Sequence, residues 1–112
     1  MKKFIVTYHA PASFQEQATS MDPESQKKGM EMWMQWAQKC GDKLLDMGSP
    51  LANSFHLSKS GSSASNMHIA GYSILQATDM TEAKALLQGH PHLEWDPACS
   101  IEVHESMPTP GM

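Results

Sequence analysis

The chain has few cysteines, a deficit of positive charge and no long hydrophobic run. Its two cysteines, Cys40 and Cys99, lack C-x-x-C spacing, which excludes a disulfide framework and favours reduced thiols in the cytosol. Eight Lys and Arg residues against twelve Asp and Glu residues give a formal net charge of -4. The chain therefore lacks the cationic balance that binding to nucleic-acid phosphates requires, and we expect no nucleic-acid partner.

The apolar runs are too short for an export signal or a membrane span. The start has two lysines before Phe4, Ile5 and Val6, but polar residues and Pro11 follow at once. An export signal needs an apolar run of roughly 7 to 15 residues. A membrane span needs about 18. We expect a soluble, unprocessed cytoplasmic protein without membrane contact.

The chain does contain four strand patterns and two helix patterns. Alternation or β-branched and aromatic content predicts the strands Lys3–His9, Asn53–Lys59, Met67–Ala77 and Ser100–Glu105. Helical spacing and capping residues predict helices from Pro23 to about Met47 and over Met80–Gln88. The connections are predicted as a loop over Ala10–Met21, a flexible turn over Ser60–Asn66 that makes strands two and three a hairpin, and a proline-pinned loop over His90–Pro97.

This β-α-β-β-α-β order predicts an α+β fold of the ferredoxin-like type. It would have a four-stranded antiparallel sheet with two helices on one face. We expect a single domain over residues 1–106, followed by a flexible tail over residues 107–112.

The first helix has two apolar stripes. We predict that the longer stripe is buried; it comprises Met30, Trp33, Met34, Ala37, Gly41, Leu44 and Leu45. The second comprises Met32, Trp36 and Cys40, which either pack against a dimer partner or a loop, or stay partly exposed.

The sheet face away from the helices is predicted to be amphipathic. Strand alternation gives it Ala70, Ile74 and the polar candidates Tyr72, His56, His68, Glu102 and His104, with His9 at the end of strand one. This mixture is too apolar for a fully solvent-exposed face, so we predict a homodimer whose two sheets enclose a ligand cavity. The same alternation also fits an ordinary half-exposed sheet face.

Several segments together carry a family resemblance. They are Cys40–Leu51, Gly71–Ala77 with the following Asp79–Leu87, Gly89–Leu93 and Ser100–Val103. In combination they resemble the YCII-related domain family of dimeric α+β barrel proteins. The resemblance implies a dimeric ferredoxin-like barrel with an open pocket over the sheet. Some members carry a proposed catalytic His and Asp pair on the first helix, which does not transfer because no histidine lies between Ala10 and Phe55.

His90 and His92, close to Glu94 and Asp96, are the first candidates for chemistry. Two imidazoles and a carboxylate can move a proton or hold a metal. Such histidines can also anchor a loop through hydrogen bonds to the backbone, or contact a ligand in a pocket. We assign no metal site and no cofactor.

Two functions of different classes follow. In the first, the homodimer binds a small polar molecule that Tyr72, His90 and His92 orient, with Trp33, Trp36 or Trp95 in apolar contact and weak His-dependent acid/base catalysis as an added activity. In the second, the chain is a non-catalytic accessory or interaction module that uses the Met- and Trp-rich helix and the Pro-rich tail. No motif names a reaction, so the sequence does not decide whether the chain is an enzyme.

Overall fold

A computed structural model describes residues 1–11, 22–65 and 67–111 of the chain. Residues 12–21 of the predicted first loop, Asn66 and the last residue lie outside these ranges. The strands are β1 Lys2–His9, β2 Leu44–Asp46, β3 Phe55–Ser58, β4 Gly61–Ala64, β5 Ile69–Ala77 and β6 Ser100–Glu105. The helices are α1 Pro23–Cys40, α2 Met80–Leu86 and α3 Pro91–Trp95, with a 3-10 turn over Gly41–Lys43. None of these helices combines the length and apolar character needed to cross a membrane.

The fold is α+β, with a four-stranded antiparallel sheet in the order β2-β5-β1-β6 and a separate two-stranded sheet of β3 and β4. The central strand β1 alternates as predicted, because Phe4, Val6 and Tyr8 are buried on the side of the helices. Phe4, Val6 and Leu75 have no solvent exposure. Burial of each such side chain contributes about 1.5–3 kcal/mol relative to its exposed state.

The first helix begins as predicted but ends earlier. The Asp22 carboxylate accepts a hydrogen bond from the Ser25 amide at 2.7 Å, which also lowers the pKa of this carboxyl group. At the other end Gly41 takes a φ of +59° and its N–H bonds to Ala37 O. The prediction of a helix to about Met47 is therefore wrong. The chain beyond the 3-10 turn forms β2, which covers the edge of β5 and satisfies backbone groups there.

The prediction of which stripe of α1 is buried is also wrong. Trp36 and Cys40 of the shorter stripe are 4% exposed, although Met32 of that stripe is 47% exposed. Of the longer stripe, Met30 is 57% and Met34 47% exposed. Trp33 and Ala37 are half-buried between them. The indole N–H of Trp36 donates to Leu86 O at 2.9 Å, so contact with the α2–α3 region determines which side of α1 faces inward.

The predicted second strand does not join the main sheet. Residues Phe55–Ser58 do form a strand, but it pairs with β4, and both strands are exposed along their whole length. The predicted extent of the turn, Ser60–Asn66, is also wrong, because residues Gly61–Ala64 form β4. The hairpin is thus a separate two-stranded sheet, since β2 already occupies the edge of β5 that the predicted strand would have joined.

The second half of the chain follows the sequence more closely. The Asp79 carboxylate caps α2 by accepting from the Glu82 amide at 2.9 Å, and Glu82 in turn accepts from the Thr78 amide at 3.0 Å. Gly89 takes a φ of +69° after α2. The segment predicted as an irregular loop contains α3, whose N-cap is His90. Pro91 at the first helical position favours this short helix.

Candidate functional site

The face of the main sheet opposite the helices is a partly buried polar surface that the strand register assembles. In this register, Thr7 lies opposite Tyr72 on one side and Glu102 on the other, so the three share a face. We call this surface the open face; it comprises Lys3, Ile5, Thr7, His9, Tyr72, Ile74, Gln76, Glu102 and His104. All but Lys3, Glu102 and His104 are half-buried.

His9 is the best-connected polar side chain of the open face. Its Nδ1 donates to Met67 O at 3.1 Å. Its Nε2 lies 2.9 Å from Thr7 Oγ1 and 3.3 Å from Glu102 Oε2. Since Nδ1 carries a proton, the neutral ring accepts from the Thr7 hydroxyl at Nε2, and the protonated ring pairs with Glu102. Nε2 can therefore form a hydrogen bond with a group on the open face.

Tyr72 stands beside this group on β5. Its hydroxyl lies 3.4 Å from Asp46 Oδ2 at the end of β2, and Asp46 Oδ1 accepts from the Gly48 amide at 2.8 Å. Gly48 has a φ of +78°, and a Cβ there would lie 1.7 Å from Tyr72 O. Glycine is thus required where the chain leaves β2 and passes over Tyr72.

Two candidates that the sequence placed on this face lie elsewhere. His56 belongs to β3 of the separate hairpin, so its predicted position on the main sheet is wrong. His68 precedes β5, is exposed and has a φ of +56°, which breaks the alternation that placed it beside Ala70. His9, Tyr72, Glu102 and His104 do share the open face, as predicted.

His90 lies on the helix side of the sheet in an aromatic cage. Its ring centroid is 4.3 Å from Trp36, 4.6 Å from Trp33 and 5.0 Å from Tyr8. Its Nδ1 accepts from the His92 amide at 3.0 Å, so the proton of the neutral ring is on Nε2. Among the residues that the structure describes, this buried Nε2 meets no hydrogen-bond acceptor.

Burial keeps His90 neutral. Loss of hydration, with a smaller effect of the neighbouring His92, lowers the pKa of His90 to about 3. A fully buried imidazole with such a pKa stays uncharged throughout the physiological range. These contacts favour an anchoring role for His90 over proton transfer.

His92 is the second buried histidine, and it connects α3 to the sheet. Its Nε2 donates to His9 O at 2.9 Å. Burial lowers the pKa of His92, while hydrogen bonds to the backbone of His9 and Ser100 oppose this shift. His92 thus contacts β1 at the residue whose side chain turns to the open face, and it does so from the other side of the sheet.

The aromatic candidates also lie on the helix side. Trp36 packs in the core, and the ring centroids of Trp95 and His92 lie 6.3 Å apart.

Tyr8 forms hydrogen bonds within the core. Its hydroxyl donates to Ser73 Oγ at 2.7 Å, and Ser73 donates to Met47 O at 2.7 Å. Burial raises the pKa of Tyr8 to about 12. Tyr8 therefore contributes a neutral hydrogen bond to the core.

Sequence reasoning did not find Thr7 and Asp46, which contact His9 and Tyr72. Thr7 was detectable, because it lies two residues before His9 on the same strand face. Asp46 was not, since it fell inside the predicted helix. In the described ranges, no group of three or more His, Cys, Asp or Glu side chains is placed to hold a metal.

Comparison with known proteins does not assign the chain to a family. No protein-family model matches the chain, and no curated protein matches it.

Proposed function

We propose that this chain is a homodimer of the YCII-related, ferredoxin-like type that binds a small polar molecule over the open face. The observation that carries the proposal is the position of His9 Nε2, within 3.3 Å of both Thr7 Oγ1 and Glu102 Oε2 on a half-buried sheet surface. A histidine in contact with a carboxylate and facing a bindable surface is suited to hydrogen bonding with a ligand and to proton exchange with it.

The sheet order supports the ferredoxin-like part of the proposal. If the hairpin is treated as an insertion, β1, β2, β5 and β6 are the four strands of a β-α-β-β-α-β unit. Their order β2-β5-β1-β6 places the first and third strands of that unit in the centre. Neighbouring strands are all antiparallel, as this arrangement requires.

The apolar centre of the open face supports the homodimer. Ile5 and Ile74 lie opposite each other in the register and are only half-buried, between Tyr72 and His104. A second copy of the chain, related to the first by a two-fold axis, would cover this apolar centre. The polar end around His9 would then line an amphipathic cavity of the kind that binds small molecules.

The roles of the side chains follow from their contacts. His9 forms a hydrogen bond with the ligand, and Glu102, whose Oε2 lies 3.3 Å from His9 Nε2, offers an acceptor beside it. Tyr72, held near Asp46, offers a phenol hydroxyl to the ligand. His90 and His92 act from beneath the sheet as anchors, with no contact to the ligand.

Ligand-induced thermal stabilisation tests this function. We would screen a panel of small polar metabolites against the wild type and measure the shift in melting temperature. We expect a stabilising ligand whose effect is lost in His9→Gln and Glu102→Gln but kept in Glu94→Gln. Glu94 is a matched control because it is an exposed carboxylate on α3. Stabilisation that persists in His9→Gln would contradict the assigned site.

A second function, that of an interaction module, is favoured by the exposed methionines of α1. Met30 and Met34 line an open groove of about 410 Å³ together with Lys27, Glu31, Gln35 and Gln38. Flexible thioethers suit adaptable protein contacts. Trp36 cannot serve as a surface contact because it is buried. Under this function, Met30→Glu with Met34→Glu should abolish capture of a protein partner, whereas His9→Gln should not.

A further inference from the structure

The β3–β4 hairpin has an apolar face that the described part of its own chain leaves exposed. Phe55 is 67% and Leu57 70% exposed, and both lie on the same side of β3. Their cross-strand partners on that side are Ala64 and Ser62. An isolated two-stranded hairpin is at best marginally stable in water. Packing of this face against a further surface would therefore stabilise the hairpin.

The root of the hairpin is held firmly at one end of the main sheet. On one side, the Leu51 amide donates to Ala70 O at 2.9 Å. On the other, the Ala10 amide donates to His68 O at 3.0 Å, and His9 Nδ1 donates to Met67 O. These bonds fix both legs of the hairpin to the strand ends.

The hairpin stands apart from the main sheet, because both of its strands are exposed along their whole length and, in the described part of the chain, pair with each other and not with the main sheet. The principal extents are 46, 44 and 21 Å. A body this thin has room for the helix layer and one sheet, and among the described residues no further layer covers the open face.

The charges of the hairpin and of the open face are complementary. Lys59, in the turn between β3 and β4, places a cation at the hairpin tip. At the end of the open face nearest the hairpin root, Glu102 and Asp46 supply carboxylates beside His9 and Tyr72. A second copy of the chain offers these carboxylates together with the apolar Ile5 and Ile74 pair.

We propose that the hairpin of one copy lies across the open face of a second copy, with Phe55 and Leu57 over its apolar centre and Lys59 beside its carboxylates. The hairpin thereby closes the ligand site, which is incomplete in a single chain. This inference rests on the homodimer proposed above. It adds that each site includes residues from both copies.

Photo-cross-linking tests the contact directly. Phe55 is replaced by p-benzoylphenylalanine in a mixture of isotopically labelled and unlabelled chains, so that cross-links between copies differ in mass from those within one. We expect cross-links between copies to peptides of β1 and β5. The same replacement at Leu93, an exposed residue of α3, should give none to these strands. If cross-links from position 55 are confined to its own chain, the hairpin does not contact a second copy and the proposal is wrong.

Sedimentation separates failure of the hairpin contact from failure of the dimer. Phe55→Ser with Leu57→Ser should raise the dimer dissociation constant on the order of 100-fold or more, because each copy loses two buried apolar side chains. His56→Ser with Ser63→Ala changes the opposite hairpin face and should leave it unchanged. If the first variant dimerises with undiminished affinity, the proposed hairpin contact is wrong and the homodimer proposal stands. A wild-type monomer at all concentrations would overturn both.

Discussion

His92 and His9 are joined through the backbone: Nε2 of His92 donates to the carbonyl oxygen of His9 at 2.9 Å. The bond reaches from α3 to the end of β1, where the pairing with β5 shifts register between Tyr8 and His9. The His9 ring, on the opposite face, bonds to Thr7 and Met67. One residue thus connects a buried histidine of the helix layer with the polar group of the open face.

Loss of the His92 ring should loosen this strand end. In His92→Ala the carbonyl of His9 loses its donor, which should lower the free energy of unfolding by about 1–3 kcal/mol. Hydrogen exchange of the Ala10 amide, which bonds to His68 O, should become faster. Urea unfolding and exchange measured by NMR check both effects. Lys84→Ala, an exposed change on α2, should stay within about 0.5 kcal/mol of the wild type. Unchanged Ala10 exchange in His92→Ala would show that the bond does not fix the strand end.

The stability of the fold should fall on acidification because of His90. Its pKa is lowered from 6.5 to about 3 in the folded state, so below pH 6.5 the unfolded chain binds a proton that the folded chain does not. The free energy of unfolding should therefore fall by up to about 1.4 kcal/mol per pH unit from about pH 6 toward pH 3 through this group. Urea unfolding at a series of pH values measures the slope.

The matched variant for this slope is His90→Asn, whose amide oxygen can still accept from the His92 amide. It should lose stability at pH 7 yet show a slope smaller by about the same 1.4 kcal/mol per pH unit. His92, whose pKa is also lowered, is present in both proteins. Identical slopes would indicate that His90 does not titrate between the two states.

Gly48 and Gly41 should respond differently to alanine although both have positive φ. A Cβ at Gly48 would lie 1.7 Å from Tyr72 O, whereas at Gly41 no described atom lies within 4 Å. Gly41→Ala should cost about 1–3 kcal/mol from backbone strain alone, because its φ of +59° with a ψ of -130° is rarely adopted by residues with a Cβ. Gly48→Ala should cost at least about 3 kcal/mol, because the backbone of β5 must also shift. Thermal and urea unfolding compare the two; equal losses would mean that the approach to Tyr72 is readily relieved.

Much of the local structure follows from sequence alone, since its causes are local. The alternation of β1 gives the buried side of Phe4, Val6 and Tyr8, and β6 has the predicted bounds Ser100–Glu105. Asp22 and Asp79 cap their helices because a carboxylate can satisfy the free amides of the first turn. These features need only neighbouring residues.

The errors on α1 have a non-local cause. Apolar residues surround much of its C-terminal half, so helical spacing alone fits two stripes. Contact of Trp36 with His90 and Leu86 selects the stripe that contains Cys40. The helix end was misplaced because Leu44 pairs with Leu75 of β5, a contact between residues far apart in sequence.

The sequence by itself determined the strand periods, the helix starts and most of the polar residues on the open face, because side-chain alternation and capping act within a few residues. Only the tertiary structure decided that His9 contacts Glu102, that His90 and His92 lie beneath the sheet, and that β3 pairs with β4 rather than with β5. Each of these depends on which distant segments pack together. Several segments with similar local patterns could pack at the same place, and only the interactions of the whole chain determine which of them does.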